Sequence, residues 1–191
     1  MMIKESAKNS KLIKVSEFLR TSQLFWIISF SVLTAIAAQI TIPVKPVPFT
    51  LQTMMVVLAG AFLGAKNGAF SQIFYLMAGV AGLPVFAQTP DGLIGFARLF
   101  GPTGGYLLAF PIAAFVTGYI IEKNKKYIPV VLAMLAGNVI ILLSGTFFLF
   151  SFYVKDFSQA FKLGAAIFSV WAVIKVFAAA SIYFRIKKSI K

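Results

Sequence analysis

At 191 residues, 60% hydrophobic, 15% aromatic and only 12% charged, the chain is too apolar for a water-soluble domain and reads as one integral membrane unit. Cysteine and histidine are both absent, which excludes disulfides, thiolate nucleophiles, His-assisted triads and His/Cys metal sites. The net charge of +13 belongs first to orientation in a membrane and gives no ground for a nucleic-acid partner.

Residues 1–20 carry five Lys/Arg against two Glu, and read as a basic tail or a short interfacial helix on anionic headgroups. The first span is expected over 22–42. Its basic lead and Ala35-Ile36-Ala37 mimic a cleavable signal, but the long polar lead and the unbroken run into Ile40–Thr50 argue against cleavage. Ser31, Thr34, Ala35 and Ala38 put small residues on one face of that span, suited to close approach of another helix, either within the molecule or from a partner.

Pro43, Pro46 and Pro48 forbid helix through 41–50. A short span, about 51–65, and a further span, 68–86, then form a hairpin around a tight turn at Gly64–Asn67, and short helices beside broken backbone often flank a binding site. The stretch from Leu83 to Phe110 lies between spans yet is crowded with Pro and Gly. Irregular backbone at a membrane survives only where protein or water covers it, so this stretch is expected to fold back as the wall of a cavity. Further spans are expected over about 105–121, 128–150 and 163–184, with a polar loop over 151–162. With six spans and both termini cytoplasmic, thirteen Lys/Arg fall on the inner side, and four, Lys45, Arg98, Lys155 and Lys162, on the outer. The expected fold is therefore an all-α bundle of six transmembrane helices, its loops 41–50, 83–104 and 151–162 opening outward.

Lys175 is the sharpest chemical signal. It stands well inside the last apolar span, where a lysine costs about 2.5 to 3.5 kcal/mol to insert. The five acids, Glu5, Glu17, Asp91, Glu122 and Asp156, all lie outside the spans, so an anionic ligand is the expected partner; snorkelling and neutralisation by burial are the alternatives. Thr50, Gln52 and Thr53 offer hydroxyls and an amide suited to a neutral polar ring, with helix capping by Thr50 as the plainer role. Gly104 and Gly105 permit close backbone approach and Tyr106 adds a phenol, or they simply begin a helix. Arg98 and Asp91 read as rim charges or as solvated loop residues. Phe49, Phe86, Phe100, Tyr106 and Trp171 are candidate apolar walls, or interface anchors. No acid/base or nucleophile pair supports an enzyme, and no metal or cofactor site is expected.

Pro46-Val-Pro-Phe-Thr-Leu-Gln-Thr53, Leu58-Ala-Gly-Ala-Phe-Leu-Gly64, Gly79-Val-Ala-Gly-Leu-Pro-Val-Phe-Ala87 and Gly101-Pro-Thr-Gly-Gly-Tyr-Leu-Leu-Ala-Phe110, in this order, closely resemble the BioY family. The match is strong over 35–120 and the six-span layout agrees with it over the whole chain. The resemblance implies a biotin-specific substrate-binding (S) component of an energy-coupling-factor (ECF) transporter in the cell membrane. It implies as partners a transmembrane coupling subunit and two ABC-type ATPase subunits. Ser31, Ala35 and Ala38 resemble the family's docking surface for such a partner. The chain has no Walker A pattern of its own, so any ATP-driven step must come from those subunits. The family typically shows Pro-Gly-Asp-x-x-Lys in its last helix. Here Val170-Trp-Ala172-Val-Ile-Lys175 keeps the lysine and loses the acid, for which Asp156, Asp91 or a neutral group is expected to stand in. An S component for another small vitamin, and a non-transporting scaffold or pore, are the alternative readings.

Overall fold

The computed structural model describes residues 22–89 and 92–189. The basic segment 1–20 and Asp91 lie outside the described residues.

The elements run α1 (Gln23–Gln39), β1 (Thr41–Ile42), β2 (Phe49–Thr50), α2 (Gln52–Val80), α3 (Gly104–Lys123), α4 (Tyr127–Leu149), α5 (Phe157–Phe161) and α6 (Ile167–Ser189). A 3-10 turn spans Gly95–Phe100, and wider π turns, Phe150–Val154 and Lys162–Ala166, follow α4 and precede α6. Four stretches are long and apolar enough to cross a bilayer: Gln52–Val80, Gly104–Lys123, Tyr127–Val154 and Phe157–Ser189. Large apolar side chains such as Ile112, Leu132, Val170 and Ile174 lie on the outer surface, where lipid rather than water is the compatible solvent.

Within α2 the chain reverses. Gly64 adopts φ 81° and ψ −178°, a conformation that side chains disfavour, and it breaks the helix into arms 52–63 and 65–80. A Cβ placed on Gly68 would lie 2.8 Å from the Cα of Gly60, although residues eight apart in a continuous helix are separated by about 12 Å. The expected four-residue turn is thus a single residue, with Ala65 already helical. Reversal leaves the amides at the start of the second arm without helical partners, and Glu122 of α3 accepts from the Ala65 N–H at 2.8 Å. Replacing Glu122 by Ala should cost about 1 to 2 kcal/mol of stability, while Gln should retain most of it. Thermal unfolding in detergent checks this, and an unchanged midpoint for the Ala variant would refute the capping role.

The proline loop closes through a two-residue antiparallel ribbon, Thr41 opposite Thr50 and Ile42 opposite Phe49. Its prolines remove the donors a helix would need. The stretch expected as a polar loop over 151–162 instead contains α5. Asp156 caps it, accepting from the N–H groups of Ser158 at 2.9 Å and Gln159 at 3.4 Å.

The small-residue face of α1 is used inside the molecule. The Ser31 hydroxyl donates to the Ser71 carbonyl at 2.5 Å, the buried Gln72 amide donates to Thr34 Oγ1 at 3.3 Å, and Ala38 is fully buried. The side of α1 left open is apolar, with Leu24, Ile28, Val32 and Ile36 exposed. Of the residues expected at a docking face, Ser31 and Ala38 take part in packing within the molecule and Ala35 is half-buried beside them.

Two apolar clusters fill the bundle. One, around Met54, Leu58, Ile121, Met134, Val176 and Tyr183, occupies the end where α2 reverses. The other, around Val56, Tyr75, Phe86, Phe110, Ile141 and Phe168, surrounds a cavity toward the opposite end.

Candidate ligand-binding site

The cavity is assembled from five segments: the proline loop and start of α2 (Thr50, Gln52, Thr53), the loop before α3 (Phe86, Arg98, Thr103), α3 (Tyr106, Phe110), α4 (Asn138) and α6 (Phe168, Ala172, Lys175). Its walls are mostly apolar with a few converging polar groups, the usual constitution of a small-molecule site. It encloses about 60 Å³, room for only a few waters.

Lys175 reaches it from α6, 7% exposed. Its ammonium donates to the Thr50 carbonyl at 3.1 Å and to Thr53 Oγ1 at 2.5 Å. Both partners are neutral, and an ammonium has a third donor. Of the two carboxylates among the described residues, Glu122 is engaged by Ala65 and Asp156 by α5. Among the described residues the charge is therefore held in place by dipoles, with no carboxylate beside it, which leaves it suited to an anion.

Gln52 anchors a chain of hydrogen bonds. The Thr50 hydroxyl donates to Gln52 Oε1 at 3.1 Å, Gln52 Nε2 donates to the Tyr75 hydroxyl at 2.6 Å, and that hydroxyl donates to the Val85 carbonyl at 3.1 Å. The chain ties the proline loop, both arms of α2 and the 83–103 loop together beside the cavity. Tyr106 is fixed by a different device: its hydroxyl donates to the Gly164 carbonyl at 2.8 Å, within the π turn before α6. The wider winding of that turn changes the ordinary helical pairing and offers this carbonyl to a side chain.

Arg98, expected at the rim, is buried. Its guanidinium donates to the Ala87 carbonyl and, at 3.4 Å, to that of Leu93, fastening the loop across the cavity. Lys175, Gln52, Thr50, Tyr106, Phe86 and Arg98 are thus brought together on one cavity. Gly104 and Gly105 are not on it. A Cβ on Gly104 would run into the Leu99 carbonyl, and one on Gly105 would run into Phe148 and lie 2.7 Å from the Ser144 carbonyl, so Gly104 makes room for the 3-10 turn and Gly105 for the contact of α3 with α4. Asp156 is a helix cap and does not stand in for the missing acid. Ala172, at the position where the resembled pattern has its aspartate, lines the cavity, and neutral groups of Thr50 and Thr53 hold the lysine instead. Of the other aromatics considered, Phe49 packs on Phe168 with ring centroids 4.4 Å apart, while Phe100 lies exposed.

Sequence reasoning passed over Asn138. Its side-chain amide donates to the Met134 carbonyl at 3.0 Å and it lines the cavity, 3% exposed. A lone amide within the most apolar span is itself a signal of this kind.

The BioY family model matches residues 7–191. The chain belongs to the BioY family. The biotin transporter BioY of Thermotoga maritima is 41% identical over 159 residues, covering 83% of this chain and 92% of that protein. A probable biotin transporter BioY of Pyrococcus horikoshii is 42% identical over 147 residues, covering 76% of this chain and 84% of that one. Among solved structures, the S-component for biotin from an ECF-type ABC transporter superposes with a TM-score of 0.79 at 26% identity, over 87% of this chain and 90% of that one. The BioY relatives are named as transporters, and this chain shares with them a multi-pass helical membrane architecture.

Proposed function

We propose that this chain captures biotin as the S component of an ECF-type uptake transporter in the cell membrane. The observation that carries the reading is the buried Lys175 ammonium, without a carboxylate partner among the described residues, on an apolar cavity that also presents amides and hydroxyls. Biotin has the matching parts: a carboxylate for the lysine, a ureido ring for amide and hydroxyl groups such as those of Asn138 and Gln52, and an apolar body for Phe86, Phe110 and Phe168. In this reading 1–191 is one membrane domain. The two arms of α2 count as separate crossings, which gives six, with both termini in the cytoplasm and the cavity loops facing outward. The charge asymmetry of the chain supports that orientation. Delivery inward is driven by a transmembrane coupling subunit with two ABC-type ATPases.

At about 60 Å³ the cavity is well below the ~300 Å³ of an ordinary small-molecule pocket, so ligand entry spreads its walls. The 83–103 loop is the wall that yields, because the other walls belong mainly to packed helices. Equilibrium binding of labelled biotin to the detergent-purified chain tests the assignment. Saturation at one biotin per chain is expected, weakened about tenfold by Gln52→Ala, which cuts the hydrogen-bond chain to that loop. No binding by folded wild-type protein would refute biotin as the ligand and direct the search to other small vitamins.

A further inference from the structure

A second polar site lies at the opposite end of the bundle. Lys125, in the turn between α3 and α4, lines one cleft of about 310 Å³ with Phe184, Lys187 and Lys188 from the end of α6. Lys187 is half-buried and oriented: its ammonium donates to the Tyr183 hydroxyl at 3.2 Å and sits 5.2 Å from the centre of that ring. Phe184, which packs against Tyr127 at 5.4 Å between centroids, gives the cleft an apolar wall beside the three lysines. At this end Lys66, Lys123, Lys126 and Arg185 add to the positive charge, and Glu122, which accepts from the Ala65 amide, is the carboxylate among the described residues here. Glu122 is thus already committed to the backbone.

Three lysines lining one cleft beside an aromatic ring, at an end of the bundle where positive charge gathers, match a phosphate carried on an acyl glycerol. The geometry points to a binding site for the headgroup of an anionic phospholipid of the inner leaflet. The lysines take the phosphate while Phe184 and Tyr127 meet the glycerol and the first acyl carbons. Placement in the inner leaflet rests on the orientation proposed above; binding of the lipid itself does not depend on biotin.

The full chain, purified in detergent and exposed to equimolar phosphatidylglycerol and phosphatidylcholine, should retain phosphatidylglycerol by about tenfold or more in native mass spectrometry. The K125Q/K187Q/K188Q variant should lose that preference and still bind biotin as the wild type does. A charge-matched K45Q/K155Q/K162Q variant, altered at the other end, should keep it. Equal retention of the two lipids by wild type, or equal loss in both variants, would overturn the site, the latter by reducing the effect to net charge. Inorganic phosphate added to wild type should leave the lipid bound; displacement would identify a bare-anion site and overturn the lipid assignment. If wild type binds no biotin yet selects phosphatidylglycerol, the transport reading fails and the lipid site stands.

Discussion

Lys175→Met should weaken biotin binding by at least about 30-fold while leaving the empty protein as stable as wild type or more so. The two effects have one cause. Truncating one member of a buried charged pair costs about 2 to 5 kcal/mol of binding, and each 1.4 kcal/mol is a factor of ten in affinity. In the unliganded bundle the same ammonium is a cost, because it sits 7% exposed with a carbonyl and a hydroxyl as its partners among the described residues. Methionine keeps the unbranched shape and removes the charge. Binding isotherms and thermal unfolding of the same preparation decide the matter. A variant that loses affinity and stability together would show Lys175 to be a structural residue. One that keeps full affinity would place the carboxylate elsewhere, with Arg98 the next cation on the cavity.

Gly118→Val should abolish a stable fold. A Cβ at Gly118 would stand 2.5 Å from the backbone of Gly64 and Ala65, and one at Gly60 would be driven into the Ala114 carbonyl. These glycines let α3 touch both arms of α2 backbone to backbone, the close approach by which membrane helices gain most of their packing energy. Overpacked cores ordinarily lose about 1 to 3 kcal/mol because side chains give way; here the obstacles are main-chain atoms, so the loss should exceed that range. Gly118→Ala should fall between wild type and Val. Size-exclusion profile and unfolding midpoint in detergent are the measurements, and a Val variant with the wild-type midpoint would disprove the contact.

What could be read from the sequence follows from how local each signal is. Apolar runs and prolines act on their own segment, so the non-helical 41–50 stretch and the main helices were legible, with ends displaced by a few residues. Lys175 was legible because a single charge in an apolar run has few uses. Gly104 and Gly105 were ambiguous for a physical reason: glycine records that something comes close, but a ligand, the Leu99 carbonyl and the side chain of Phe148 leave the same trace in sequence. The small face of α1 carried the same ambiguity between an outside partner and Ser71. Asp156 was a different case. Asp156-Phe-Ser-Gln159 has the spacing of a helix-capping box, so its structural use was written locally and was outweighed by its charge.

The π turn at Lys162–Ala166 also bears on how this segment of the chain can change over time. Such a turn holds one residue more than an α-helical turn, and one residue in a helix corresponds to about 100° of rotation. The turn takes up that extra residue within itself, so the helix beyond it, Phe168, Ala172 and Lys175 included, faces the cavity as a regular helix one residue shorter would. Loss of a single residue between 162 and 166 would return the turn to α-helical pairing and leave the lysine on the cavity, with the Gly164 carbonyl withdrawn from Tyr106 as the consequence. The segment thus carries one residue that the site's geometry can do without, held for the sake of a single hydrogen bond.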